Sequence, residues 1–231
     1  MSSGEIAELV FQVNKYTGLP GILFYIGFLS SRKGNIRIAF FILLASFLGD
    51  LASDLYVKYV YENSNLVGQI WVITDYFLVS WLFIKLIPHR KKTILGLMGL
   101  FVIGTSVTSL LFYSFFEPNT FLATYPSVAF TYLSILTFLE ILKEEPTNKL
   151  INFPLFWIIT AIFLFNSVTL LKNLFMNYLI FDLQVSQDLY LYVWLFGVGF
   201  NMIKNLMFFY AFILVKAGNP DYIFEPKNAT T

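Results

Sequence analysis

Seven stretches of mainly apolar residues, each long enough to cross a lipid bilayer, decide what this chain can fold into. A membrane-spanning helix needs roughly 20 such residues. Segments at approximately 8–31, 36–60, 66–87, 93–116, 119–142, 153–177 and 188–215 qualify. Composition agrees: 58% of the 231 residues are apolar, 19% aromatic and 13% charged, whereas soluble domains are about a quarter charged and about half apolar or less. The expected fold is all-α and polytopic, a single integral membrane domain over 1–231 with a short cytoplasmic tail at 216–231.

The first segment is the weakest. Its strictly apolar part, Leu19 to Leu29, is too short to span, although Ile6, Leu9, Val10 and Val13 upstream follow helical spacing. One reading is an amphipathic helix on the outer surface. The preferred reading is a single span with Pro20 as a kink, which membrane helices tolerate. Glu5 and Glu8 with no early basic residue argue against a cleavable signal peptide.

Lys and Arg in the loops set the orientation. Arg32, Lys33 and Arg37, then Lys85, Arg90, Lys91 and Lys92, then Lys143 and Lys149, then Lys216 and Lys227 fall in one set of loops, and only Lys15 and Lys58 fall in the other. Eleven against two places the N-terminus outside and the C-terminus in the cytoplasm. Asn228-Ala-Thr matches a glycosylation triplet on the cytoplasmic side and reads as chance.

Ionisable residues inside spans are expensive and default to a functional hypothesis. Helix 2 carries Asp50, Asp54 and Lys58 along one stripe. Helix 3 carries Asp75, helix 6 Asn166, Lys172 and Asn173, and helix 7 Asn201, Lys204 and Asn205. At about 1.5 Å per residue, these groups fall between the midplane and the outer surface, and the cytoplasmic half is almost wholly apolar. Asp50, Asp54, Asp75, Lys172, Asn201 and Lys204 are the candidate ligand- or ion-binding residues. They form either an outward-facing pocket or an Asp–Lys network that only holds helices together. Trp71, Trp81, Trp157 and Trp194 are weaker pocket candidates. Gly96, Gly99 and Gly104 make helix 4 a packing or homodimerisation helix. Glu140 reads as solvated near the cytoplasmic end, and Glu117-Pro118 as an outer turn.

Several classes are disfavoured. The absence of cysteine removes disulfides and thiolate metal sites. His89 is the only histidine, which argues against a Ser-His-Asp triad in the bundle and against zinc hydrolases of the ceramidase type. No Walker loop or dinucleotide fingerprint is present, and a net charge of +1 offers nothing to nucleic acid. The chain is expected not to be an enzyme, an intramembrane aspartyl hydrolase on Asp50, Asp54 and Asp75 being the one exception left open.

Helices 1–3 and 5–7 share faint features. Pro20 and Pro126 lie in the first helix of each triplet, Asp50 and Asn166 in the second, and Asp75 and Asn205 open similar runs in the third. This 3+1+3 plan resembles the SWEET and PQ-loop transporters, but Gly21 and Ser127 follow the prolines where that family has glutamine. Lys204 in the seventh helix and Asp75 in the third resemble the Schiff-base lysine and counter-ion of microbial rhodopsins, which would imply retinal as cofactor. No Arg precedes Asp75, and Asn201-Met-Ile-Lys204 lacks the usual nearby carboxylate. Overall the chain resembles small bacterial seven-helix proteins without an established activity, which implies the bacterial inner membrane. The expectation is a sensor or transporter of a small molecule or ion, with the bilayer, and for a sensor a cytoplasmic signalling protein, as partners. A rhodopsin-like protein and a structural scaffold are the alternatives.

Overall fold

A computed structural model of the protein describes residues 3–30, 34–60, 65–111, 120–143, 150–181 and 187–218. Arg32, Lys33, Lys149, Lys227, the Glu117-Pro118 turn and Asn228 lie outside these residues. The described elements are all helical: α1 (Ser3–Tyr16), α2 (Leu19–Phe28), α3 (Asn35–Tyr59), α4 (Asn65–Leu86), α5 (Lys91–Leu111), α6 (Thr120–Lys143), α7 (Pro154–Phe181) and α8 (Gln187–Lys216), with short 3₁₀ turns at Pro88–Arg90 and Leu150–Asn152. Six helices among the described residues, α3 to α8, are long and apolar enough to cross a membrane. This is an integral membrane protein.

The first segment departs from expectation. It is neither one continuous helix nor a helix kinked at the proline itself, but two short helices broken at Thr17 and Gly18. Pro20 explains the position. In an unbroken helix its nitrogen would donate to the carbonyl of Tyr16, but proline has no N–H and its ring clashes with that carbonyl. The helix ends at Tyr16 and restarts with Pro20 in the first turn of α2, where a missing donor costs nothing.

The pair α1–α2 runs alongside α8 in the same direction. Phe11 stacks near Trp194 at 6.1 Å, Gly21 passes close to Phe209, and the Lys216 ammonium lies 5.1 Å over the Phe28 ring. The helices close a ring in the order α3, α4, α6, α7, α8, α1–α2 and back to α3, while α5 packs outside against α4 and α6. The end carrying the α2–α3 and α4–α5 connections has an apolar core, with Ile36, Leu82, Phe83, Ile158, Phe208 and Phe212 fully buried. Tyr76 is sandwiched between Phe101 at 4.0 Å and Phe130 at 5.1 Å, which pins α4 to α5 and α6.

Glu140 is not a solvated end residue. Its carboxylate gathers His89 at 3.4 Å, Arg90 at 3.5 Å and Lys143 at 3.6 Å, and its side chain is 17% exposed. It ties α6 to the 3₁₀ turn before α5, because His89 and Arg90 of that turn and Lys143 at the end of α6 converge on it.

Glycines allow close helix contact at particular places. The Trp71 ring of α4 lies where a Cβ on Gly49 of α3 would stand, and Phe121 occupies the same place at Gly104 of α5. Gly96 and Gly99 face open space. Gly104 thus serves packing within the chain. Gly49→Ala should destabilise the protein by about 1–3 kcal/mol, the usual cost of overpacking, while Gly96→Ala should leave the melting temperature within a degree or two of wild type or slightly higher, since alanine favours helix. Parallel thermal melts in detergent check both, and equal effects would contradict the packing described.

Candidate functional site

The break between α1 and α2 exposes backbone and short polar side chains to the interior of the ring, and α8 answers them. The Thr17 hydroxyl donates to the Asn14 carbonyl at 2.7 Å. It then accepts from the Asn205 amide at 2.8 Å. One turn away, the Asn201 amide donates to the Asn14 side-chain oxygen at 3.0 Å. Asn201 and Asn205 are four residues apart, so both lie on one face of α8. Polar side chains that hydrogen-bond across helices are a principal glue in lipid, and here they hold a broken helix against a continuous one.

Lys15 comes from the same end of α1. It is 5% exposed and pairs directly with Asp54 of α3, whose side chain is 35% exposed. Lys58, the stripe neighbour of Asp54, turns outward over the Tyr59 ring at 5.3 Å. The sequence puts Lys15 among the loop charges, and the structure puts it inside the bundle. Asn14, Lys15 and Thr17 are the residues that sequence reasoning missed. Their signal was a polar Asn-Lys pair on a stretch whose apolar residues kept helical spacing.

Lys204 lies deeper, 5% exposed, with its ammonium 4.3 Å from the centroid of the Phe165 ring. It is within electrostatic reach of both Asp75 and Asp50. Yet among the described residues no carboxylate comes within the 4.0 Å of a contact ion pair with it. Asp75 Oδ1 is buried with no hydrogen-bond donor, as are the side-chain oxygens of Asn201 and Asn205. Asp75 lines a cavity of about 70 Å³ together with Trp71, Ser127, Phe165, Asn166 and Thr169. Pro126 also borders it, within α6. Its missing N–H loosens the helix there, and Asn173 of α7 donates to the nearby Ala123 carbonyl at 3.0 Å. Asn166, which also lines the cavity, donates to the Ile162 carbonyl of its own helix at 2.8 Å.

Of the six candidates, Asp50, Asp75 and Lys204 form one electrostatic cluster. Asp54 belongs to the ion pair with Lys15, and Asn201 to the hydrogen bonds with α1. Lys172 joins neither. Its methylene chain lies across Gly197 of α8, where a Cβ would come within 2.8 Å of Cδ.

The Lys15–Asp54 pair gives a direct prediction. Lys15→Met should destabilise the protein by at most about 3 kcal/mol, the low end for breaking a buried pair, because Asp54 keeps a third of its side chain open to water. The double variant Lys15→Met/Asp54→Leu should recover most of that loss. A double-mutant cycle by denaturation in detergent decides it, and a double variant as unstable as the sum of the singles would mean that the pair does not couple. Compared with known protein families, curated proteins and solved structures, the chain matches none.

Proposed function

We propose that this protein binds protons or a small ion in an intramembrane polar chamber open to the outside, and serves the bacterial inner membrane as a sensor or transporter. One observation carries the reading. Lys204 is buried and Asp75 half-buried in the same ring, yet these opposite charges do not close into a contact pair, and a buried carboxylate oxygen is left without a donor beside a cavity.

The same bundle contains the contrasting case. Lys15 and Asp54 do meet directly, as charges that merely hold helices together should. Leaving a buried charge incompletely paired costs several kcal/mol. That cost is understandable where the charge must accept a proton or an ion. The scaffold alternative accounts for Lys15 and Asp54 and leaves Asp75 and Lys204 unexplained.

Cavity size narrows the ligand. About 70 Å³ holds roughly two waters at about 30 Å³ each, well below the roughly 300 Å³ at which organic ligand pockets begin. A proton or small ion with water fits this space. Retinal on Lys204, with Asp75 as counter-ion, would need the chamber to enlarge several-fold.

Topology supports the outward reading. From Trp194 to Lys216, α8 accompanies α1–α2 over 22 residues, or about 33 Å, which matches a hydrocarbon core of about 30 Å. The pair α1–α2 is then a seventh crossing, parallel to α8 as an odd count requires. With the basic loops in the cytoplasm, Asp54 and the chamber face out and the phenylalanine-rich half seals the inside. A sealed inner half suits a sensor that signals through a cytoplasmic partner. The broken first span favours a transporter, since discontinuous helices beside the binding site are common in that class.

Thermal shift of the purified protein across pH and a panel of ions and metabolites tests the reading. A ligand specific to the native state at about a hundredfold excess over its Kd stabilises by about 2.7 kcal/mol, a rise of several degrees. Asp75→Asn and Lys204→Ala should abolish that rise, and Asp50→Asn should weaken it. Retinal is included, with a visible spectrum, and a band lost in Lys204→Ala would favour the chromophore instead. If nothing shifts wild type and the substitutions only lower its melting temperature, the charges are structural.

A further inference from the structure

A second concave site lies at the opposite end of the bundle, far along the chain's helices from the polar chamber. It is a groove of about 500 Å³ between α3 and α4, lined by Gly34, Asn35, Arg37, Phe41, Trp81 and Lys85, with Ile38 at its floor. This volume lies within the range of ligand pockets, about 300–1,000 Å³.

Its chemistry is layered. Arg37 and Phe41 are four residues apart on α3, and Trp81 and Lys85 four apart on α4. Each pair therefore sits on one face of its helix, with the cation about 6 Å nearer the helix end than the ring. The two helices are antiparallel neighbours, so two cations crown the groove and two aromatic rings wall it below. The Arg37 guanidinium is 5.6 Å from the Phe41 ring centroid. Trp81 is 48% exposed.

Both cations lack an acidic partner among the described residues. This sets them apart from Arg90 and Lys143 at the same end, which Glu140 neutralises. The first turn of α3 adds to the positive field. It has no acidic residue and no side-chain cap, and Gly34 at its start turns with φ 88°. Such a turn offers backbone N–H groups to an anion. On the far side of Arg37 and Phe41 a shallower groove of about 250 Å³ continues along Tyr25, Ile26 and Phe40.

We propose that this groove binds an anionic phospholipid of the cytoplasmic leaflet, its phosphate held by Arg37 and Lys85 and its acyl chains lying on Trp81 and on either side of Phe41. The occupant follows from the two layers together. A soluble anion would use the cations but not the aromatic walls, and an uncharged lipid would use the walls but leave two cations unmatched. Basic pockets between transmembrane helices on the cytoplasmic side hold anionic head groups for this reason.

The test uses the full chain in nanodiscs containing phosphatidylglycerol or phosphatidylcholine with brominated acyl chains, which quench tryptophan on contact. Subtracting Trp81→Phe isolates the Trp81 signal. Brominated phosphatidylglycerol should quench Trp81 at a lower mole fraction than brominated phosphatidylcholine. Arg37→Gln and Lys85→Gln should each reduce that preference about fivefold, and salt should weaken it. Lys91→Gln/Lys92→Gln, at the same end but outside the groove, should leave it unchanged. Both groove cations are exposed, and size-exclusion profiles confirm that the variants stay folded. Equal quenching by the two lipids overturns the proposal, as does a preference that survives both substitutions or falls equally in the Lys91/Lys92 control. Inorganic phosphate that abolishes the preference at an ionic strength where chloride leaves it intact also overturns it, since the site would then be for a soluble anion. None of these outcomes depends on the outer chamber binding anything.

Discussion

The ion pair between Lys15 and Asp54 is the interaction on which the polar end of this bundle depends. Pro20 forces a break in the first span, and a break inside hydrocarbon leaves backbone groups that lipid cannot satisfy. Thr17, Asn14, Asn201 and Asn205 satisfy part of that need by bonding α1 to α8. Lys15 then ties the same stretch to α3 through Asp54. With α1 fastened on both sides, the ring is closed at that end, and Lys204, Asp50 and Asp75 are enclosed within it.

Much of this was legible in the sequence, and for a physical reason. Lipid demands long apolar helices, so the ends of α3, α4, α6 and α8 fall within a residue or so of the apolar runs. The cost of intramembrane charge likewise singles out Asp50, Asp75 and Lys204 before any contact is known. Partner choice was not legible. It depends on the order of helices around the ring and on the rotation of each, and a helix with charges on one stripe does not say which neighbour it faces. Asp54 could as well have paired with Lys58 one turn on. Lys172 shows the converse: a half-buried lysine whose neighbour is a glycine rather than an acid.

Lys15 failed to stand out because a lysine close to the N-terminus resembles an interfacial loop charge. The break misled in the same way. Proline draws attention to its own position, whereas its consequence falls four residues earlier, at the carbonyl it cannot serve. Glu140 was obscured because its three partners come from a turn and from its own helix end, where an isolated carboxylate looks solvated.

The two lysine–aspartate arrangements differ in what they allow. A contact pair such as Lys15–Asp54 is already neutral and has no use for a further ion. A separated pair such as Lys204 and Asp75 is neutral only as a group, and its field is open to a proton, a water or an ion placed between. The hinge-like break lies two to three residues from the contact pair and is hydrogen-bonded to α8 on either side of Lys204, through Asn201 and Asn205. Any change in occupancy around Lys204 that shifts α8 must therefore strain the bonds that hold α1. Conversely, loosening Lys15 from Asp54 would free the α1 segment that lies against the face of Lys204. On the function proposed above, these bonds would link the charge state of the chamber to the position of the broken span, as either a sensor or a transporter needs.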